Sequence, residues 1–107
     1  IEVKKEKLSK GFWATSSFMA SYYNLLNVTS NWLTSKGIRK SLAEKYTREL
    51  FLALSEDAMK KNKFSLKQLV LESQTPRGTN AYVLKELKKK KFYKLQQKVL
   101  NSIFKKF

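Results

Sequence analysis

Glu72-Ser73-Gln74-Thr75-Pro76-Arg77-Gly78-Thr79-Asn80 holds the only proline of the 107-residue chain and one of its three glycines. Pro76 fixes its own φ and turns Gln74-Thr75 away from a continued helix. Gly78 is able to take a left-handed or closely approached backbone geometry. Thr79 or Asn80 can then cap a helix that starts at about Ala81. Apolar segments with helical spacing flank the stretch on both sides, so it reads as an interhelical loop. Such a loop is either a plain connector or, with N–H groups free at a helix start, a seat for a carboxylate or phosphate.

Just upstream, Ser65-Leu-Lys-Gln68 has the pattern of a capping box and predicts a short helix through about Glu72. Downstream, Tyr82, Val83, Leu84 and Leu87 predict another short helix, and the run Lys88 to Lys91 marks a break or solvated turn. A last helix is expected over about Phe92 to Phe107. Phe92, Leu95, Val99 and Ile103 recur on it at three or four residues, with Lys94, Lys98 and Lys105 largely on the other side. That is a basic amphipathic helix, suited to docking on the domain's own core, on a membrane surface or on nucleic acid.

Further back, Ser41-Leu-Ala-Glu44 forms a second capping-box pattern and opens a long helix to about Lys61. Leu42, Tyr46, Leu50 and Ala53 form one stripe on it, with Thr47, Phe51, Leu54 and Ala58 beside them. Ala53 is the small member of the stripe, where a partner helix is expected to come close. Glu44 stands four residues before Arg48, a favourable exposed pair. Glu56 and Asp57 diverge by about 100° on a helix and read as surface. Before Gly37, which acts as a helix stop, Phe12 to Lys36 predicts one long helix. It carries no charged residue between Lys10 and Lys36 and includes Trp13, Phe18, Tyr22, Tyr23 and Trp32. So long a charge-free helix belongs in the middle of a bundle or in a subunit interface. Ile1 to Lys10, with Ile1 and Val3 among charged residues, reads as the end of a linker.

Composition narrows the chemistry. Cysteine and histidine are both absent, which excludes disulfides, thiolate chemistry, Cys/His zinc sites and a histidine base. The lack of cysteine fits a cytoplasmic setting. The formal charge is +15, and it favours anionic partners through steering and non-specific attraction. The lysines become dense from Lys85 onward. No strand pair with a hairpin signal is visible, and no GxGxxG dinucleotide loop occurs. The expectation is an all-α domain of two long and about three shorter helices.

Ser73-Gln74-Thr75-Pro76-Arg77-Gly78-Thr79-Asn80, followed by Leu84 and Leu87, resembles the Ser-Pro-Gly-Gly-Thr-Thr loop and next helix of pyrroline-5-carboxylate reductase. The order of elements is similar to that family's C-terminal domain: a charged lead-in, a long helix ending in Trp32-Leu-Thr-Ser-Lys-Gly37, then a helix with Tyr46-Thr-Arg-Glu-Leu-Phe-Leu-Ala-Leu54. The resemblance implies a helical dimerisation domain, intertwined in a homodimer. Residues 1–10 would be the end of a linker from a missing N-terminal Rossmann domain, and 11–107 the dimerisation and substrate-site domain. The missing domain would bind NADPH or NADH, with no cofactor, metal or catalytic residue on this segment, which would be inactive alone. The product of the family's reaction is proline. The partners implied are a second copy and a small carboxylate-bearing substrate, with no specific nucleic acid and no membrane.

Residue by residue, Thr75-Pro76 stands for the family's Ser-Pro, Arg77 for the first glycine, Gly78 for the second and Thr79 for the next residue. Asn80 takes the place of the threonine that hydrogen-bonds substrate. Thr75, Arg77, Gly78, Thr79 and Asn80 are therefore the candidate substrate-binding residues. The family's Gly-Ser-Gly-Pro-Ala-Tyr turn corresponds roughly to Ser17-Phe18-Met19-Ala20-Ser21-Tyr22, of which the tyrosine is kept. The competing reading is a basic nucleic-acid-binding helical module, supported by the charge and by Lys91-Phe92-Tyr93-Lys94.

Overall fold

The structure, a computed structural model, describes residues 2–106, with side chains from Lys5 onward. Ile1, the Val3 side chain and Phe107, which figure in the apolar patterns above, lie outside the described set. Six helices follow one another: α1 (Glu2–Ser16), α2 (Met19–Ser35), α3 (Lys40–Lys60), α4 (Leu66–Glu72), α5 (Thr79–Lys89) and α6 (Phe92–Lys106). The described residues contain no strand, as the all-α expectation required. Among the described residues two compact units are formed, one from residues 2–18 with 70–106, the other from residues 19–69.

Residues 2–10, read as the end of a linker, are helical and continuous with α1. One expectation about the N-terminal third needs correction. The single long helix expected over Phe12–Lys36 is broken at Ser17-Phe18. The break has a local cause. Thr15 Oγ1 donates to the carbonyls of Gly11 and Phe12, Ser16 Oγ donates to Trp13, and Ser17 Oγ shares the same Trp13 carbonyl. Three successive hydroxyls thus compete for the carbonyls of the last turn, and Ser17 N–H closes back on Ala14 at 3.1 Å in a tighter turn.

The end of α2 is as expected and better built than sequence alone required. Gly37 has φ +99°, its N–H donates to Thr34, and Ile38 N–H reaches back to Leu33. Those two bonds define a Schellman motif, with half-buried Ile38 and Leu33 as its apolar pair. Lys36 lies with Nζ 5.6 Å from the Trp32 ring centroid, a cation–π contact at the same helix end.

At the next helix the capping box placed at Ser41 is not used. α3 begins at Lys40 with Arg39 at the N-cap, extended at φ −60° and ψ 148°, and without a side-chain cap. The extended conformation falls on Arg39 because Ile38 closes the preceding motif and the chain turns at once into α3. The box at Ser65 does form: Ser65 N–H donates to Gln68 Oε1 at 2.8 Å, and Gln68 N–H to Ser65 Oγ at 3.1 Å.

In the unit of residues 19–69, α2 and α3 form a helical hairpin. Its buried residues are small: Ser30 on α2 and Ala43 and Thr47 on α3, the last two 0% and 1% exposed. Thr47 Oγ1 satisfies itself on the Ala43 carbonyl at 2.8 Å. Within the chain the close approach therefore lies at Ala43 and Thr47, and Ala53 is exposed. Large apolar side chains lie outside this contact, with Trp32 at 59% and Met59 at 73% exposure. Tyr22 meets Phe51 edge-on at 6.3 Å. Glu56 and Asp57 are at the surface, as read, with Asp57 paired to Lys61 at 3.1 Å.

In the other unit α6 packs on α1 and on α5. Ala14 is its buried residue, and Ala81, Leu84, Leu87, Leu100 and Ile103 are half-buried. Leu95 and Val99, expected on the apolar face of α6, remain exposed. The lysine run does turn the chain, at Lys90-Lys91, where Lys91 takes φ +63° and its N–H closes on Lys88 at 2.9 Å.

Candidate functional site

The end of α4 is finished by side chains. Ser73 Oγ and Gln74 Nε2 both donate to the Val70 carbonyl at 2.9 Å, consuming an acceptor the helix leaves open. Thr75 to Gly78 then makes a tight turn, closed by Gly78 N–H donating to the Thr75 carbonyl at 2.8 Å. Pro76 occupies the first central position, where its fixed φ suits the turn. The second central position, Arg77, has φ +63°. A turn with proline followed by a positive φ asks for glycine or asparagine at that place.

Of the two geometries open to Gly78, the loop uses the close approach: a Cβ there would run into the side chain and carbonyl of Thr75. The left-handed residue is Arg77, whereas Gly78 is extended at φ −79° and ψ 161°. The expected cap needs correction. Gly78 is also the N-cap of α5, so Thr79 and Asn80 are its first two helical residues and cap nothing. The helix begins two residues earlier than read, because the extended backbone needed at an N-cap already falls on Gly78.

The five sequence candidates are consequently brought onto one short arc. Thr75 and Arg77 are exposed in the turn, Gly78 is half-buried, and Thr79 and Asn80 are exposed on the first turn of α5. Tyr82 N–H is the first to find a helical acceptor, the Gly78 carbonyl at 3.1 Å. The amides of Thr79, Asn80 and Ala81 precede it and have no helical carbonyl within reach. These donors, the helix dipole and the Arg77 guanidinium all favour an anion. No cluster of acidic side chains able to hold a metal occurs among the described residues.

The Arg77 backbone yields a direct test of the turn. Left-handed φ costs an L-residue about 1–2 kcal/mol, and glycine returns about 0.5–1 kcal/mol of that in chain entropy. Arg77→Gly should therefore raise unfolding stability by about 0.5–1 kcal/mol in a denaturant titration. A loss of stability would show that the arginine side chain holds the turn.

A cleft that the sequence did not reveal lies in the unit of residues 19–69. Its volume is about 470 Å³, and Tyr23, Asn27 and Ser30 of α2 face Glu44, Thr47 and Arg48 of α3 across it. Glu44 and Arg48 are 4.0 Å apart, Arg48 exposed and Glu44 half-buried, the pair expected from their spacing. The available signal was the i, i+4, i+7 spacing of Tyr23, Asn27 and Ser30 on a charge-free helix. It is weak, because small polar residues also suit a close helix contact.

Comparison with known families bears on the whole chain. Residues 6–107 match the family described as pyrroline-5-carboxylate reductase dimerisation. The chain belongs to this family. No curated protein and no solved structure matches it. Membership accords with the all-α architecture. The Thr75–Asn80 turn carries a proline and a tightly packed glycine, with an arginine between them. No helix among the described residues is long and apolar enough to cross a membrane.

Proposed function

We propose that this chain is the dimerisation module of an NADPH- or NADH-dependent reductase of the pyrroline-5-carboxylate reductase type, working in the cytoplasm. In this reading two copies intertwine through α2 and α3. A nucleotide-binding domain holds the reduced nicotinamide, residues 1–10 lead in from it, and residues 11–107 turn nothing over alone. Hydride goes to the carbon of a cyclic C=N bond and a proton to its nitrogen, leaving a saturated ring amine and oxidised cofactor. The substrate is a small carboxylate-bearing imine.

One observation carries the assembly: the α2–α3 hairpin buries only small side chains, while Trp32, Tyr46, Leu52, Leu54 and Met59 lie open. Apolar surface of that kind marks a protein–protein contact, and an obligate two-fold interface is large and core-like. Family membership supports a second copy as the occupant. Sedimentation at tens of micromolar tests it. A species of twice the 12.5 kDa chain mass is expected, and a monomer alone refutes the pairing.

The loop is the part of the substrate site this module would lend. Thr75, Arg77, Gly78, Thr79 and Asn80, with the amides that open α5, hold the substrate carboxylate. Asn80 donates its side-chain amide where the related enzymes use a hydroxyl. Because Asn80 is inside the helix and is not its cap, Asn80→Ala has little to remove structurally. In the complete reductase it should lower kcat/KM by at least about tenfold, equivalent to about 1.4 kcal/mol, at unchanged melting temperature. An unaltered kcat/KM would make the loop a connector.

A further inference from the structure

Net charge in this protein is unevenly placed. Residues 1–84 carry fourteen lysines and arginines against seven acids, whereas residues 85–107 carry nine lysines against Glu86 alone. The last 23 residues thus hold +8 of the total +15, more than four times the charge per residue of the rest. A lysine-rich composition spread over the whole chain does not produce that contrast.

The fold concentrates these lysines further. α5 and α6 pack against each other and are joined at Lys90-Lys91, so Lys88, Lys89, Lys90, Lys91 and Lys94 meet at one corner. Lys94, Lys98 and Lys105 fall within about 40° on the α6 wheel, a row about 16 Å long, and Lys91 stands just before its first turn. All are exposed. The ion pairs present among the described residues, Glu44–Arg48 and Asp57–Lys61, both lie on α3, and none of Lys88, Lys89, Lys90, Lys91, Lys94 or Lys98 takes part in one. Lys91 moreover occupies a left-handed position that favours glycine. A set of like charges this close, with Glu86 the one acid of the segment, is complementary to a chain of negative charges.

We propose that the α5–α6 corner and the lysine row of α6 dock the phosphate backbone of nucleic acid without reading its sequence. Phosphates spaced along a strand match a row of cations, and lysine meets each as a point charge. A bilayer fits less well. The apolar arc of α6 is partly taken up by α1 and α5, with Leu100 and Ile103 half-buried, so Phe92, Leu95, Val99 and Phe104 stay exposed without forming the uninterrupted face a membrane-seated helix inserts. Phe92 and Tyr93 stand between Lys91 and Lys94, exposed rings beside cations, as suits a nucleic-acid strand.

Any strongly basic protein binds polyanions at low salt, so the test compares variants of equal charge. Binding to a labelled DNA duplex of about 20 base pairs and arbitrary sequence would be measured at about 0.15 M salt and over a salt series. The triple variant Lys88→Gln, Lys91→Gln, Lys94→Gln should weaken binding at least tenfold and flatten the log–log salt slope by about 3. A control with Lys5→Gln, Lys45→Gln and Lys60→Gln should change it less than threefold. Arginine at positions 88, 91 and 94 should keep the affinity, separating lost charge from lost structure. Equal weakening in the triple variant and the control would overturn the proposal. So would absence of binding at 0.15 M salt, or binding to phosphatidylserine vesicles with none to the duplex. Dimer formation and reductase kinetics are separate readouts, so either reading can fail alone.

Discussion

Ala43→Leu should destabilise the protein by about 3 kcal/mol, the upper part of the range for forcing bulk into a close-packed site. Ala43 has no exposed surface, and its neighbours in the contact, Thr47 and Ser30, are themselves small and nearly fully buried. Ala43 does not line the cleft beside Ser30 and Thr47, so three added carbon atoms have to displace packed neighbours. The hairpin connection is too short to let α2 swing aside without breaking the Gly37 end motif, whose two backbone bonds fix its exit. Ala53→Leu, on an exposed position of the same helix, serves as the control and should cost less than about 0.5 kcal/mol. If the two variants unfold at the same denaturant concentration, Ala43 is not the point where the helices meet.

The second large effect concerns assembly. Trp32 is 59% exposed near the end of α2, and its ring carries the Lys36 ammonium on one face. On the proposed pairing it is an anchor of the kind that dominates interface energetics. Trp32→Glu would remove that anchor and put into the interface a carboxylate with Lys36, four residues on, as its partner. The dimer dissociation constant should rise at least about a thousandfold, which corresponds to about 4 kcal/mol. Sedimentation velocity over a dilution series would read this directly. Trp32→Phe, which keeps an aromatic ring, should stay dimeric at concentrations where Trp32→Glu is monomeric. Identical profiles for wild type and Trp32→Glu would place Trp32 outside the interface.

Much of the fold was legible in the chain, and for identifiable reasons. Helical class, the stop at Gly37, the capping box at Ser65 and the Glu44–Arg48 pair all rest on interactions within a few residues. Local sequence determines such interactions. The failures share a different character. Ser41 has the residue pattern of a cap, but capping depends on which residue is extended, and the Ile38 closure gives that role to Arg39. The break at Ser17-Phe18 comes from three hydroxyls acting together, none of which alone ends a helix. The stripes did not show where α3 meets α2, because the residues buried there are small and carry little apolar signal. Leu42, Tyr46 and Leu54 of those stripes stay exposed, while Leu50 and Phe51 are half-buried. In the candidate site, the loop position and the importance of Gly78 were readable, whereas Gly78's role was not. A glycine between arginine and threonine is equally compatible with a positive φ and with a steric approach to Thr75, and only the backbone distinguishes them.

The turn at Thr75–Gly78 has a consequence for how this protein can diverge. What builds the turn is the ring of Pro76, the bare Cα of Gly78 against Thr75, and one backbone hydrogen bond between them. None of these uses the side chain at position 77. That residue contributes a roughly fixed conformational penalty whichever L-amino acid stands there, except for asparagine and glycine, which lower it. The position is therefore an interchangeable part. Selection can alter the size and charge displayed beside the first turn of α5 in a single step, while the scaffold that displays it stays intact.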